Sequence, residues 1–206
     1  MPKPPTRLSL FAALLVLWGA SGGTLFALSV TVPTFTELVT KSEQIVRGEV
    51  IRVESRQVTN AAGFELIKTF VTIRSDEMPK GLPDPEITLS FLGGTVAGET
   101  LTVPGMPTFQ KGDRGWFFVT GNGHSLCPLI SGPYGAYREV KDPTSAALRV
   151  VRYDRSVMTS PEAIERPSSN GTDLQARFAA VVTPDVFRAA IYRELGRLGL
   201  PSPQIP

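Results

Sequence analysis

The stretch FLGGTVAGETLTVPGMPTFQKGDRGWFFV, residues 91–119, decides how this chain is read. It opens on Phe91-Leu92 and closes on Trp116-Phe117-Phe118-Val119, aromatic and branched residues that favour strands. Between them stand Gly93, Gly94, Gly98, Gly105 and Gly112, with Pro104 and Pro107, a composition that turns a chain rather than fills a core. The segment therefore predicts a strand end, a long structured loop and a strand start. Val103-Pro104-Gly105-Met106 suits a type II turn, because Pro104 fixes φ at the second position and Gly105 accepts a positive φ at the third. Lys111-Gly112-Asp113-Arg114 predicts a second turn. Gly115 to Val119 is apolar on both faces, the pattern of a central strand covered on both sides.

Outward from this stretch the pattern stays β. Residues 86–92 (EITLSFL) alternate, with Ile87, Leu89 and Phe91 on one face. Residues 66–74 (LIKTFVTIR) alternate as well, and Ile67, Thr69, Val71 and Ile73 form the more apolar face. Residues 45–53 (IVRGEVIRV) predict a strand with a bulge or a close backbone approach at Gly48. Residues 57–63 predict a hairpin loop, and residues 78–85 (MPKGLPDP) a turn cluster. Residues 134–140 and 148–153 are the last predicted strands.

Helices are expected only at the two ends. Thr34 with Glu37 three residues on forms a capping-box signature before Leu38 and Val39, and predicts about two turns. Thr172 with Gln175 predicts a second short helix. The clearest helix follows Thr183: Pro184 takes its first position, Asp185 suits its positive end, and Phe187, Ile191, Leu195 and Leu198 recur at helical spacing before Gly199. Arg188, Arg193 and Arg197 lie off that stripe, which reads as a face docked on the domain or, alternatively, as a basic membrane-surface helix.

The first 29 residues have the order of a secretory signal. Lys3 and Arg7 precede an apolar run over 8–18, and small residues follow through Ala27 and Ser29. An uncleaved anchor is the alternative, since weakly apolar sequence continues to Val32. These residues hold two of the 21 Lys+Arg and none of the 19 Asp+Glu, so the rest of the chain is formally neutral. A neutral domain has no electrostatic footprint for nucleic acid. No later apolar run is long enough to span a membrane as a helix. At 206 residues, with 42% apolar residues, the chain has enough material for one cored domain with appendages. Its 19 glycines and 18 prolines together exceed the roughly 12% of average usage, as short strands joined by many turns require.

Chemistry-bearing motifs are sparse. The GGTVAG glycines lack the Gly-Lys-Ser/Thr ending and the following helix of a phosphate loop. His124 and Cys127 are the single histidine and single cysteine, three residues apart. A Cys–His nucleophile pair or a metal site completed by carboxylates is one reading; a small buried thiol beside a solvated turn histidine is the other. No Gly-x-Ser-x-Gly elbow exists. Paired carboxylates remain open, because Asp and Glu are scattered along the chain. Trp116 and Phe118 suit either a ligand-stacking surface or a core. The loop 93–113 is the better recognition candidate, since long structured loops are disproportionately functional. Its alternative role is barrel closure or edge cover.

Residues 42–53 (SEQIVRGEVIRV), 93–109 (GGTVAGETLTVPGMPTF), 111–119 (KGDRGWFFV) and 128–137 (PLISGPYGAY) resemble a group of uncharacterised exported bacterial β-domain proteins. That group carries a G-G-x-x-x-G…V-P-G-x-P-x-F loop followed by an aromatic strand. The resemblance spans residues 32–140 and, more loosely, the final helix, and it implies no particular activity. More remotely, the element order is similar to the OB-type barrel of netrin-like and metalloproteinase-inhibitor domains. Those inhibitors chelate zinc through an N-terminal cysteine, and this chain has no cysteine near residue 30.

The expectations are then definite. Residues 1–29 are a signal peptide, 32–153 a small antiparallel OB-like barrel of five to seven strands, 154–171 a linker, 172–199 a C-terminal helical segment and 200–206 a tail. The protein is expected to be exported, periplasmic or extracellular, and to be a non-enzymatic binding or inhibitory module. A hydrolase-type enzyme using carboxylates or His124 and Cys127, and a structural accessory protein of the envelope, are the alternatives. The expected contact residues are Thr95, Val96, Pro104, Gly105, Met106, Pro107 and Phe109. No catalytic residue, metal or cofactor is expected. The expected partner is an envelope or extracellular protein, with membrane contact only through an uncleaved anchor.

Overall fold

The first element of the described residues is a capped helix. In this computed structural model, which describes residues 31–143, 145–155, 158, 160–162 and 181–202, helix α1 spans Phe35–Lys41. The Thr34 hydroxyl accepts from the Glu37 N–H and the Glu37 carboxylate accepts from the Thr34 N–H, closing the expected capping box. The leader expected over 1–29, the linker beyond residue 162 and the Thr172/Gln175 capping pair lie outside the described residues.

Among the described residues eight strands follow: β1 (Gln44–Thr59), β2 (Glu65–Lys80), β3 (Glu86–Leu92), β4 (Gly94–Val96), β5 (Glu99–Leu101), β6 (Arg114–Val119), β7 (Ala136–Lys141) and β8 (Leu148–Arg152). A 3₁₀ turn over Gly132–Gly135 leads into β7, and helix α2 spans Pro184–Arg197. Six strands form one antiparallel sheet in the order β3-β2-β1-β6-β7-β8; β4 and β5 form a separate hairpin. The mainly β, antiparallel class with a helix at each end is thus present. Among the described residues no ladder joins the outer strands β3 and β8, and no closed barrel is found.

Three local expectations change. β1 and β2 are each 16 residues long, so the strands run through residues 57–59 and 78–80, where a loop and a turn cluster were expected. Pro79 is tolerated because β3 pairs with β2 only up to Arg74, leaving the rest of that side without a ladder that needs a donor. The 93–101 segment is a hairpin rather than open loop. Ala97 and Gly98 both take positive φ, 50° and 89°, the requirement of a tight two-residue hairpin turn.

β1 bends between its two partners. A register shift falls between Arg47 and Gly48, and a β-carbon on Gly48 would stand 2.2 Å from the Arg74 carbonyl oxygen. Only a residue without a side chain allows β2 that close, and the bend it permits curls the sheet.

The sheet has two covered faces. On one, Trp116, Phe118 and Tyr137 pack against α1 and α2, with Phe187 of α2 at the centre. The Phe187 ring lies 5.9 Å from Phe35, 5.6 Å from Trp116 and 4.9 Å from Tyr137. On the other face, Val46, Val71, Ile73, Leu89, Phe91 and Phe117 form a second cluster, completed by Phe109 from the loop before β6. β6 supplies both, Trp116 and Phe118 to the first and Phe117 and Val119 to the second, as its uniformly apolar sequence requires. Each such side chain removed from water contributes about 1.5–3 kcal/mol.

Candidate functional site

Loop 93–113 leaves the end of β3, crosses the face of the β1–β2 hairpin and reaches the side of β1 before entering β6. Its first half is pinned by close backbone approach. The Gly93 N–H donates to the Ile67 carbonyl at 2.8 Å, and the Thr69 hydroxyl donates to the Gly93 carbonyl at 2.7 Å. Ser55 and Thr69 hydroxyls bond each other at 2.9 Å beneath the hairpin. A β-carbon on Gly94, whose φ is 136°, would stand 2.4 Å from the Ser55 hydroxyl. The paired glycines are therefore a seat for the hairpin, not a cradle for phosphate.

The second half is clamped by side chains from distant strands. The Val103–Met106 turn forms as expected, with Gly105 at φ 77° and the Met106 N–H donating to the Val103 carbonyl at 3.2 Å. Thr108 then binds Tyr153: its N–H donates to the phenol oxygen, and the phenol donates to its carbonyl at 2.9 Å. Arg138 donates to the same carbonyl at 3.1 Å and pairs with Asp113 at 2.8 Å. Asp113 also accepts from the Gln110 N–H at 2.9 Å. Sequence reasoning did not single out Tyr153 or Arg138; their partners lie 45 and 30 positions away, and no local pattern marks such pairings.

Between the pinned hairpin and the clamped turn runs a groove of about 400 Å³. Val53, Ser55, Thr69 and Val71 form its sheet side, while Gly94, Thr95, Thr100 to Val103 and Met106 to Phe109 form its loop side. The expected contact residues divide accordingly. Thr95, Pro104 and Gly105 are exposed, Val96 and Met106 are half-buried, and Pro107 and Phe109 are buried. Phe109 packs 5.5 Å from Phe91, 5.6 Å from Phe117 and 5.7 Å from Tyr153, so its ring supports the groove from inside the core. Phe91, Leu92 and Gly93 complete the lining, which contains no Asp, Glu, His, Lys, Arg or Cys.

The titratable groups that carried the alternative readings lie elsewhere. His124 is exposed in the turn after β6, and its N–H donates to the Gly121 carbonyl at 3.0 Å. Cys127 is half-buried against the Phe109 cluster, and burial pushes its thiol above the ordinary value, away from the nucleophilic thiolate. Many carboxylates are occupied by arginines. Glu49 pairs with Arg74 at 2.8 Å and Arg114 at 3.2 Å, and Arg114 also reaches Asp76. The nearly buried Glu139 holds Arg47 at 2.7 Å, and Glu77 holds Arg188 at 2.6 Å and accepts from the Tyr192 phenol at 2.8 Å. Burial and Glu77 together push that phenol up to about 12. Among the described residues no group of three or more His, Cys, Asp or Glu could hold a metal ion. No helix of the described residues is long and apolar enough to cross a membrane.

No protein-family model matches the chain, and no curated protein matches it.

Proposed function

We propose that this chain is an exported, non-enzymatic binding or inhibitory module whose contact surface is the rim of the groove under loop 93–113. The lining of that groove carries the proposal: hydroxyls, backbone, methionine and aliphatic groups, with no titratable side chain. Acid–base and metal chemistry need titratable or ligand groups that it lacks, and its hydroxyls have no base in the lining to make them nucleophiles. Apolar and hydroxyl groups on a rigidly seated loop suit recognition by shape and by backbone hydrogen bonding. The partner class that follows is a protein of the cell envelope or the extracellular medium.

The finer fold belongs to the same proposal: an OB-like barrel whose seam is closed by side chains rather than by a ladder. The Asn122 amide accepts from the Ser90 N–H at 3.1 Å and donates to the Thr88 carbonyl at 2.8 Å, as a neighbouring strand would. The Leu92 N–H donates to the Leu126 carbonyl at 2.8 Å. Loop 120–127 thus ties β3 to the strand β6 that precedes it. Phe109 spans the wider gap between Phe91 and Tyr153.

The test uses the immobilised chain against envelope and culture-fluid fractions of its source. It is compared with a Thr95→Arg/Met106→Asp variant that keeps the buried Pro107 and Phe109. A protein retained by the native groove and lost from the variant, at unchanged circular dichroism, is the expected result. Equal retention by both, or none by either, overturns the groove as the contact surface.

A further inference from the structure

Among the described residues the sheet has one long stretch of strand edge without a partner, on β1. β6 pairs with β1 only over Gln44–Glu49. Val50 is still held on that side, donating to the Asp113 carbonyl and accepting from the Gly112 N–H, both at 2.8 Å. β1 then runs on to Thr59 with β2 on its other side. From residue 51 to residue 59 its outer backbone groups have no partner among the described residues. The remaining edges differ. β3 is bonded by Asn122 and Leu126, and β8 donates from Val150 to the Val182 carbonyl at 2.7 Å. A row of open N–H and C=O groups is a template for one kind of ligand, another extended strand.

The side chains along this edge narrow the ligand further. Arg52, Glu54 and Arg56 share the face opposite the groove: Arg52 donates to Thr72, Arg56 lies 4.5 Å over the Phe70 ring, and Glu54 sits between the two arginines at 3.7 and 3.4 Å. Val53 and Ser55 point to the groove face. Suppose a second, identical strand is laid antiparallel along the whole open stretch. The midpoint of residues 51–59 is Ser55, so Ser55 then stands opposite itself. In an antiparallel pair, directly opposite residues share a face. Glu54 therefore meets Arg56 of the second copy, and Arg56 meets its Glu54. Arg52 lies opposite Val58, and Val53 opposite Gln57. Moving the centre one residue, to Glu54, instead sets glutamate against glutamate and Arg52 against Arg56. The register that uses all of the open edge is thus also a register in which the charges agree.

We propose that the outer edge of β1 over residues 51–59 binds the same edge of a second copy of this chain, antiparallel about a two-fold axis at Ser55. The product is a β2-β1-β1-β2 ribbon that joins two sheets. The partner is fixed by self-complementarity, the property an isologous interface requires.

Sedimentation of the full chain over a concentration series tests this. A reversible dimer is expected. Glu54→Arg replaces both cross-axis attractions with repulsions and is expected to weaken the dimer about tenfold or more in Kd. Glu54→Arg/Arg56→Glu restores the pairs in exchanged order and is expected to recover the native Kd; no other register does so. Residues 54 and 56 are exposed, and circular dichroism confirms that each variant keeps its fold. A chain that stays monomeric up to about 1 mM, the weak end of specific association, overturns the proposal. So does an unaffected Glu54→Arg dimer or a failed rescue.

Discussion

The two faces of the six-stranded sheet are covered by different means. One face is sealed by helices α1 and α2, whose caps and apolar stripes are written within a few residues of each other. The other is covered by a loop of glycines, prolines and threonines that is held down one contact at a time. The helical cover brings Phe187 against four other aromatic rings. The loop cover delivers one large side chain, Phe109, and leaves a groove beside it. A cover built from periodic structure closes a core; a cover built from turns can close a core and still present a shaped surface.

Three experiments test this contrast. The largest effect is expected from Phe187→Ala, which removes the ring shared by Phe35, Trp116, Phe118 and Tyr137. It should cost about 4 kcal/mol, read by chemical denaturation, with both helices losing amide protection together. A loss below about 1 kcal/mol would mean that the helical cover is no tighter than the loop cover. Next, Phe109→Ala should cost about 3 kcal/mol, because its ring stands at the margin of the core where the loop can settle. Its hydrogen exchange should rise over loop 93–113 well before it rises in α2. Uniform exchange across both faces would break the distinction.

The smallest effect is acid sensitivity at the junction of the helices. Lys41 holds the Glu37 carboxyl at about 2, and Arg197 with the Thr36 hydroxyl holds Glu194 at about 2, against an ordinary 4.5. A carboxyl lowered on folding stabilises the fold above its ordinary value and loses that contribution as pH falls. The melting temperature should therefore drop between about pH 4.5 and pH 2, and less steeply at high salt, since these pairs face solvent. A drop unchanged by Glu37→Gln/Glu194→Gln would place the acid sensitivity elsewhere.

The same contrast explains what could be read in the sequence. Thr34, Glu37, Thr183 and Pro184 announce the helices, because a cap and its helix are neighbours in the chain. The alternation of residues 86–92 and the double-faced run at 115–119 announce β3 and β6. The length of β1 and β2 was hidden, since residues 54–57 are polar and extend only because their hairpin partners oppose them. Pro79 looked like a stop and is not, for its lack of a donor matters only where a third strand would need one. In the loop, the Val103–Met106 turn was legible from two residues. The burial of Phe109 was not: a phenylalanine between Thr108 and Gln110 resembles an exposed anchor until Tyr153 and Arg138 arrive from other strands. Cys127 and His124, three residues apart, differ in setting: the thiol is half-buried against the Phe109 cluster and the histidine is exposed in a turn.

The side-chain amide of Asn122 carries one more consequence. A sheet with two open sides is a link that can join others without end. By occupying the Thr88–Ser90 edge, Asn122 lowers the number of open sides, and the Val150–Val182 bond lowers it again. A chain lacking the Asn122 amide regains an open edge at Thr88–Ser90, beside the long open stretch on β1, and with it a second place where another strand can add.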